Sequence, residues 1–270
     1  MKKFFFLSGV PRSGSTVFAT LISQNPNIHT TPTSHLLDLL LETKQTWKNV
    51  SIFQKNKHPE QYVNIERGII SGCYQHLKES IVLEKHRSWA KYGSYIQDTF
   101  QTTPKIICTT RRISEVLASF ILIINKSKKI TYIDRELINS NKPINTKTRC
   151  RLLWENYISV PWKSLKIGYE THKKYMCFID YEQIINSPEE TLKKVYDFWN
   201  IDYYDQHYFD DLTNPQPEND EAYGIIGLHD VRKKLGRTSP PPEEVLGEEL
   251  CKYYDDLKLE FWNDKYLKIL

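Results

Sequence analysis

The sequence of 270 residues has only five cysteines, which are scattered, odd in number and never in C-x-x-C spacing. Neither a zinc site nor a disulfide framework is therefore indicated. An excess of one charge is also lacking, because 37 basic and 33 acidic side chains leave a formal charge of only +4. We therefore expect neither a metal ion nor a nucleic-acid partner, although a few arginines and lysines can hold an anionic ligand locally.

Long apolar runs are missing as well, and no stretch approaches the roughly 20 apolar residues needed to cross a bilayer. The N-terminus combines two lysines with a short apolar run at residues 4–7, but a Gly-Val-Pro-Arg turn follows at once. A secretion signal needs a longer apolar region than this. We interpret these residues as a buried first strand, and we expect a soluble protein of a reducing compartment, the cytoplasm.

The sequence does contain enough apolar material for one sizeable core, since 40% of its residues are hydrophobic and 13% are aromatic. We therefore expect a single domain over residues 1–270. Short apolar runs alternate with longer amphipathic segments, which predicts an α/β fold with a parallel sheet flanked by helices. The predicted strands lie at residues 3–8, 81–84, 105–109 and 176–180, and the predicted helices at 15–24, 34–48, 60–78, 89–100, 114–126, 148–172 and 188–199.

After Asn200 the pattern loosens into sequence rich in aspartate and proline, and a last helix is predicted from about Glu243. We interpret residues 202–242 as a long excursion over the surface. Long ordered loops of this kind are often lids or substrate-binding loops, and disorder is the alternative.

The strongest functional signal is the stretch at residues 9–16, which reads G-V-P-R-S-G-S-T between a predicted strand and a predicted helix. A turn of this kind directs backbone N–H groups and the positive end of the helix dipole at an anion. It matches the nucleotide-triphosphate loop G-x-x-x-x-G-K-[ST] except that Ser15 replaces the lysine. That lysine would reach the β- and γ-phosphates, so the difference argues against an ordinary kinase or NTPase.

Residues 11–16 resemble the 5′-phosphosulfate loop of sulfotransferases that use 3′-phosphoadenosine 5′-phosphosulfate (PAPS), a family with a P-loop-like sheet. Cytosolic members carry lysine where this chain has Arg12, whereas tyrosylprotein, many bacterial and carbohydrate sulfotransferases carry arginine. The resemblance implies that Arg12 stabilises the leaving 3′,5′-diphosphoadenosine (PAP) and that no metal is needed. The implied donor-binding residues of this loop are Arg12, Ser13, Gly14, Ser15 and Thr16.

A second marker of the family is an arginine at the end of a later strand, followed eight residues on by a serine, which together grip the 3′-phosphate. Arg111 and Ser119 have this spacing. An arginine at the carboxyl end of a strand lies at the crevice where open α/β sheets bind ligands. Arg112 follows directly and leaves the choice of arginine open, but Arg111 preserves the interval.

Two further segments resemble the family. Residues 178–184 are similar to an element whose tyrosine contacts the adenosine, which gives Tyr181 either that role or a packing role. Residues 229–239 are similar to the basic loop that closes over PAPS, which implies phosphate contacts by Arg237 with Lys234 or Lys233; a solvated basic helix end is the alternative.

The general base is the least determined part of the mechanism. Tyrosylprotein sulfotransferases have a catalytic glutamate after the first helix, but residues 30–35 here read T-T-P-T-S-H. A neutral histidine or an ionised carboxylate can deprotonate an alcohol. We take His35 as the first candidate by proximity, Glu42 as the second and His86 as the third.

The sequence is therefore interpreted as that of a PAPS-dependent sulfotransferase that acts on a hydroxyl or an amine. Its differences from the cytosolic motif favour a carbohydrate or a protein or peptide as acceptor over a small phenol. Two alternatives stay open: a P-loop nucleotide kinase with a degenerate Walker A loop, which would need ATP and magnesium, and a non-catalytic nucleotide-binding module.

Overall fold

The computed structural model describes residues 2–55, 58–237 and 239–263. Five parallel strands form the sheet of the described chain, in the order β2-β3-β1-β4-β5. They are β1 Lys3–Gly9, β2 Ile28–Thr30, β3 Ile81–Lys85, β4 Ile106–Thr110 and β5 Met176–Asp180. Since β1 lies in the middle, the loop that leaves its carboxyl end has the ends of β3 and β4 on either side.

Helices connect the strands, as parallel strands require. The α-helices of the described residues are α1 Ser15–Ile22, α2 Leu36–Asn49, α3 Ser51–Lys55, α4 Pro59–Tyr74, α5 Gly93–Phe100, α6 Ile113–Lys126, α7 Tyr132–Asn139, α8 Thr146–Leu153, α9 Ser159–His172, α10 Tyr181–Asn186, α11 Pro188–Trp199, α12 Pro242–Leu246 and α13 Glu248–Asp256. None of the helices in the described ranges combines the length and the apolar character needed to cross a membrane.

The two faces of the sheet are covered by separate apolar clusters. Side chains of a strand alternate between its faces, so Phe4 and Phe6 of β1 join one cluster and Phe5 and Leu7 join the other. The second cluster includes Trp199, the last residue of α11, whose ring stacks on Phe5 with 4.4 Å between ring centroids. Both faces of β1 are therefore buried, and its carboxyl end is held rigidly.

Replacing Trp199 with alanine is expected to lower the free energy of unfolding by about 3–5 kcal/mol, because it leaves a large cavity beside Phe5. Urea denaturation followed by circular dichroism measures this loss as a lower midpoint with an unchanged slope. The neighbouring Phe198 is only partly buried, so Phe198→Ala serves as the control and should cost clearly less. Equal losses in the two variants would contradict this packing.

The predicted fold class is confirmed, and the four predicted strands lie where the sequence placed them, within one residue at each end. Strand β2 was not predicted because three residues are too few to show a period. The helix predicted at residues 148–172 is divided by a turn of π-helix at Trp154–Ile158. Helix α7 was also not predicted, although Thr131 caps it by accepting a hydrogen bond from the backbone N–H of Asp134.

Residues 202–242 contain one short 3₁₀ turn, Asp220–Tyr223, and the first residue of α12, and are otherwise irregular where they are described. Residue 238 lies outside the described residues. Leu212 and Leu228 of this segment are buried in the two apolar clusters of the sheet, and within the segment the Leu212 N–H donates to the Lys233 carbonyl at 2.7 Å. The described part of the segment therefore packs against the rest of the chain.

Candidate functional site

The loop between β1 and α1 has positive φ angles at three residues, which most side chains disfavour. Gly9 has a φ of 153°, and a Cβ atom there would lie 2.2 Å from the Thr109 hydroxyl. Arg12 and Gly14 have φ angles of 61° and 85°, in the left-handed region. No side chain of the described residues caps the N-terminus of α1 at Gly14. The first backbone N–H groups of a helix have no partner within it, so this end can bind an anion.

Arg12 extends from this loop into a cleft at the carboxyl edge of the sheet. Its Nε donates to the Ser119 hydroxyl at 3.1 Å, and its Nη1 donates to the Leu228 carbonyl. Burial, followed by the nearby Arg111 charge, lowers the pKa of the Arg12 guanidinium to about 10. A half-buried cation beside a second cation is stabilised by an anionic ligand, so these residues fit a phosphate or sulfate group.

Arg111 follows the last residue of β4 and lies beside Arg12. Its Nη1 donates to the Arg12 carbonyl at 3.2 Å and its Nε to a Glu115 carboxylate oxygen at 3.0 Å. Its guanidinium lies over the Tyr181 ring, 4.1 Å from the centroid. Because Gly14 has no side chain, the loop can approach this ring closely: a Cβ there would be 3.0 Å from it. The loop at residues 9–16 and Arg111, which were predicted to bind opposite ends of one nucleotide, are therefore in direct contact.

Arg112 has a different environment from Arg111. It forms ion pairs with Asp255 and Glu243, and it is not among the described residues that line the cleft. Of the two adjacent arginines, the structure places Arg111 in the cleft, whereas Arg112, the residue before α6, contacts Glu243 of α12 and Asp255 of α13.

The other predicted donor-binding residues are divided between the cleft and its surroundings. Ser15, Thr16, Ser119, Tyr181 and Lys234 line the cleft. Ser13 is fully buried, and its hydroxyl donates to the Val10 carbonyl at 2.6 Å, so the side chain holds the loop rather than facing the cleft.

The two other residues predicted to contact the phosphates from the closing loop, Arg237 and Lys233, are engaged elsewhere. Arg237 pairs with Glu115 at 2.9 Å and with Glu182 at 3.3 Å. Lys233 pairs with Asp211 on the surface. Neither is among the described residues that line the cleft.

Lys85 is a cleft residue that the sequence analysis did not single out. It ends β3, next to β1, and its Nζ lies 3.1 Å from the Thr16 hydroxyl and 2.6 Å from a Glu218 carboxylate oxygen. The two side chains of this ion pair are only 8% and 4% exposed. Burial lowers the pKa of Lys85, and Glu218 offsets part of that shift. Its position directly after the predicted strand at residues 81–84 was the signal available in the sequence, whereas the pairing of that strand with β1 is seen only in the structure.

The three candidates for the general base differ in exposure and in whether they line the cleft. His35 precedes α2 with its side chain 76% exposed and 3.0 Å from Asp38, and Glu42 is exposed on the same helix. Neither is among the described residues that line the cleft, whereas His86 is. Burial lowers the pKa of His86.

The parallel sheet and the loop after β1, which is shaped for an anion, place the chain in the class of P-loop-like α/β proteins. Within that class, the chain belongs to the sulfotransferase family, whose family model matches residues 5–206. The resemblance found in the sequence motifs is thereby confirmed. In the described ranges, no group of three or more His, Cys, Asp or Glu side chains could hold a metal ion.

Comparison with known proteins finds protein-tyrosine sulfotransferases among the relatives. The chain is 18% identical over 255 residues to the enzyme of Drosophila melanogaster, covering 86% of this chain and 47% of that protein. It is 18% identical over 258 residues to protein-tyrosine sulfotransferase A of Caenorhabditis elegans, covering 91% and 63%. The chain thus spans about half of the first relative and less than two thirds of the second.

Solved structures with the same fold include a mouse sulfotransferase complexed with PAP. It superposes with a TM-score of 0.53 at 15% identity, covering 98% of this chain and 87% of that one. A sulfotransferase from Mycobacterium avium gives a TM-score of 0.51 at 12% identity, covering 96% and 76%. At these identities the comparisons establish the fold.

Proposed function

We propose that the chain is a PAPS-dependent sulfotransferase that transfers a sulfuryl group to an acceptor hydroxyl or amine. The observation that carries the proposal is the convergence of Arg12, Arg111 and Lys85 on the loop after β1, in a cleft at the carboxyl edge of the sheet. The complex of the mouse structural neighbour with PAP supports the choice of donor.

In this proposal the loop N–H groups, Thr16 and Arg12 bind the 5′-phosphosulfate, and Arg111, Ser119 and Tyr181 bind the other end of the nucleotide. Arg12 now donates to the Ser119 hydroxyl and to the Leu228 carbonyl. Binding the donor exchanges these bonds for bonds to its phosphates. The described part of residues 202–242, which supplies the Leu228 carbonyl, acts as a lid over the donor, with Lys234 as its cation in the cleft. Arg237 reaches the donor only when it leaves its ion pairs with Glu115 and Glu182.

Sulfuryl transfer develops negative charge on the leaving phosphate oxygen, so fixed positive groups supply much of the rate. Arg12 and Lys85 are held in place by buried partners. We propose that they stabilise this charge without a metal ion. The acceptor is a carbohydrate or a protein or peptide, and the protein-tyrosine sulfotransferases among the relatives favour a peptide.

A thermal-shift titration tests the donor site. Because a ligand that binds only the native state stabilises it by mass action, PAP at roughly 100 times its Kd should raise the melting temperature by about 5 °C or more. ATP with magnesium should raise it far less, and adenosine, which lacks both phosphates, serves as the matched control. A larger shift with ATP and magnesium would overturn the proposal in favour of the nucleotide kinase, which the family match does not favour.

A further inference from the structure

Glu115 lies midway in the sequence between Arg111 and Ser119, four residues from each. Residues four apart are neighbours on one face of a helix, so Glu115 of α6 lies beside the two residues proposed to bind the far end of the nucleotide. Its side chain is only 12% exposed. A carboxylate placed there adds negative charge beside a phosphate site, which opposes phosphate binding unless the carboxylate has another task.

The Glu115 carboxylate is shared by two arginines that come from distant parts of the chain. One oxygen accepts a hydrogen bond from Arg111 Nε at 3.0 Å, and the other accepts one from Arg237 Nη2 at 2.9 Å. Arg237 is also held by Glu182, whose carboxylate oxygen lies 3.3 Å from Nη1. Glu115 therefore joins the carboxyl end of β4 to the proposed lid through charge-assisted hydrogen bonds.

These contacts determine which part of the Arg111 guanidinium is left for a ligand. Nε donates to Glu115, Nη1 donates to the Arg12 carbonyl at 3.2 Å, and one face of the group lies over the Tyr181 ring. Within the described residues Nη2 donates to no partner, although Arg111 is only 6% exposed and lines the cleft. A guanidinium is planar with its donors in a fixed fork, so the partner at Nε fixes the direction of Nη2.

Glu115 also makes the closeness of the arginines tolerable before a ligand binds. Arg12 and Arg111 are near enough that the charge of Arg111 adds to the effect of burial and lowers the pKa of Arg12. The carboxylate offsets this repulsion on the side of Arg111 that faces away from Arg12. A nucleotide then meets an arginine that is already in place, which reduces the ordering cost of association.

We propose that Glu115 is the positioning residue for Arg111 and thereby sets the preference of the site for nucleotides that carry a 3′-phosphate; this inference rests on the proposed function. Glu115 acts through Arg111, whose Nη2 it directs at the phosphate. Arg237 holds the second carboxylate oxygen from the lid. In this role Arg237 supports donor binding through Glu115, without a phosphate contact of its own.

Isothermal titration calorimetry with PAP and AMP tests this role, because AMP lacks the 3′-phosphate. Glu115→Ala should weaken PAP binding about tenfold, as expected for the loss of one charge-assisted hydrogen bond, and should change AMP affinity by less than about twofold. A merely structural role would weaken both nucleotides alike. If Glu115→Ala bound PAP more tightly than the wild type, the carboxylate would act only as an opposing charge, and the proposal would be overturned.

Glu182→Ala is the matched control. Glu182 also pairs with Arg237, but in the described residues no hydrogen bond joins it to Arg111. The ratio of PAP to AMP affinity in Glu182→Ala should stay within about twofold of the wild type, since its ion pair is partly exposed. A fall in this ratio equal to that of Glu115→Ala would assign the effect to Arg237 and the lid instead of Arg111.

A double-mutant cycle supplies the second comparison. In an Arg111→Ala background, Glu115→Ala should change PAP affinity by less than about threefold, because no guanidinium is left to position. A full tenfold loss in that background would show that Glu115 acts by another route and would refute the inference.

The outcomes separate this inference from the proposed function. A wild type that does not bind PAP, or binds it no better than AMP, refutes the donor site and the inference with it. A wild type that prefers PAP, together with a Glu115→Ala variant that keeps this preference, refutes the inference alone. If Glu115→Ala does not fold because a cation has lost its partner, Glu115→Ala with Arg237→Ala is compared with Arg237→Ala, and equal ratios in those two refute the inference.

Discussion

Replacing Arg111 with alanine is expected to weaken the binding of PAP by about 100-fold, or about 2.7 kcal/mol of binding free energy. Arg111 is buried in the cleft, and its guanidinium is fixed by the Arg12 carbonyl, by Glu115 and by the Tyr181 ring. Truncating one side of a buried, charge-assisted contact to a phosphate commonly costs this much, because the phosphate keeps its charge and loses its partner.

Arg112 provides the matched control for this prediction. It is the adjacent residue and has the same side chain, but its ion pairs with Asp255 and Glu243 are partly exposed and outside the cleft. Isothermal titration calorimetry should find PAP affinity within about threefold of the wild type in Arg112→Ala, since exposed ion pairs contribute little. Equal losses in the two variants would mean that general positive charge, and not the geometry at Arg111, binds the nucleotide.

The second large effect is expected at Lys85. The double variant Lys85→Met with Glu218→Gln should lower the rate of sulfuryl transfer by about 10³-fold while PAP affinity falls by less than about tenfold. Lys85 contacts the Thr16 hydroxyl of the loop after β1, which is where the proposed reaction develops charge. Both charges are removed together because breaking one partner of a buried ion pair destabilises a protein by about 3–5 kcal/mol.

Two comparisons make the result at Lys85 interpretable. Lys126 also lines the cleft but is exposed, so Lys126→Met should keep a rate within about threefold of the wild type. Glu218→Gln alone separates the contribution of the carboxylate from that of the ammonium group. A double variant that transfers within about tenfold of the wild-type rate would exclude Lys85 from the chemistry.

Much of the fold could be predicted because its determinants are local. The predicted strands are short apolar runs, and the residues on both faces of each strand are buried. Helix α11 begins with Pro188 after Ser187, a sequence typical of a helix start. Strand β2 could not be predicted because it has three residues and owes its existence to pairing with β3.

The loop after β1 and the pair of Arg111 and Ser119 at the cleft were predictable for a similar reason. A glycine-bearing turn between a strand and a helix binds anions wherever the two elements form, and the spacing from Arg111 to Ser119 lies within one strand-to-helix connection. Proximity in sequence did not predict which candidate base lines the cleft. His35 is close in sequence to the family's segment, but in the structure its side chain is 76% exposed and outside the cleft lining.

The sequence by itself therefore determined the α/β sheet, the anion-binding loop and the family, since each depends on residues that are neighbours along the chain. Only the tertiary structure decided that Arg111 rather than Arg112 enters the cleft and that Lys85 belongs to it. Lys85 meets Glu218 across 133 residues of sequence, and Arg12 meets Leu228 across 216. Contacts over such separations are set by how the irregular segment packs back onto the sheet, which leaves no local pattern in the sequence.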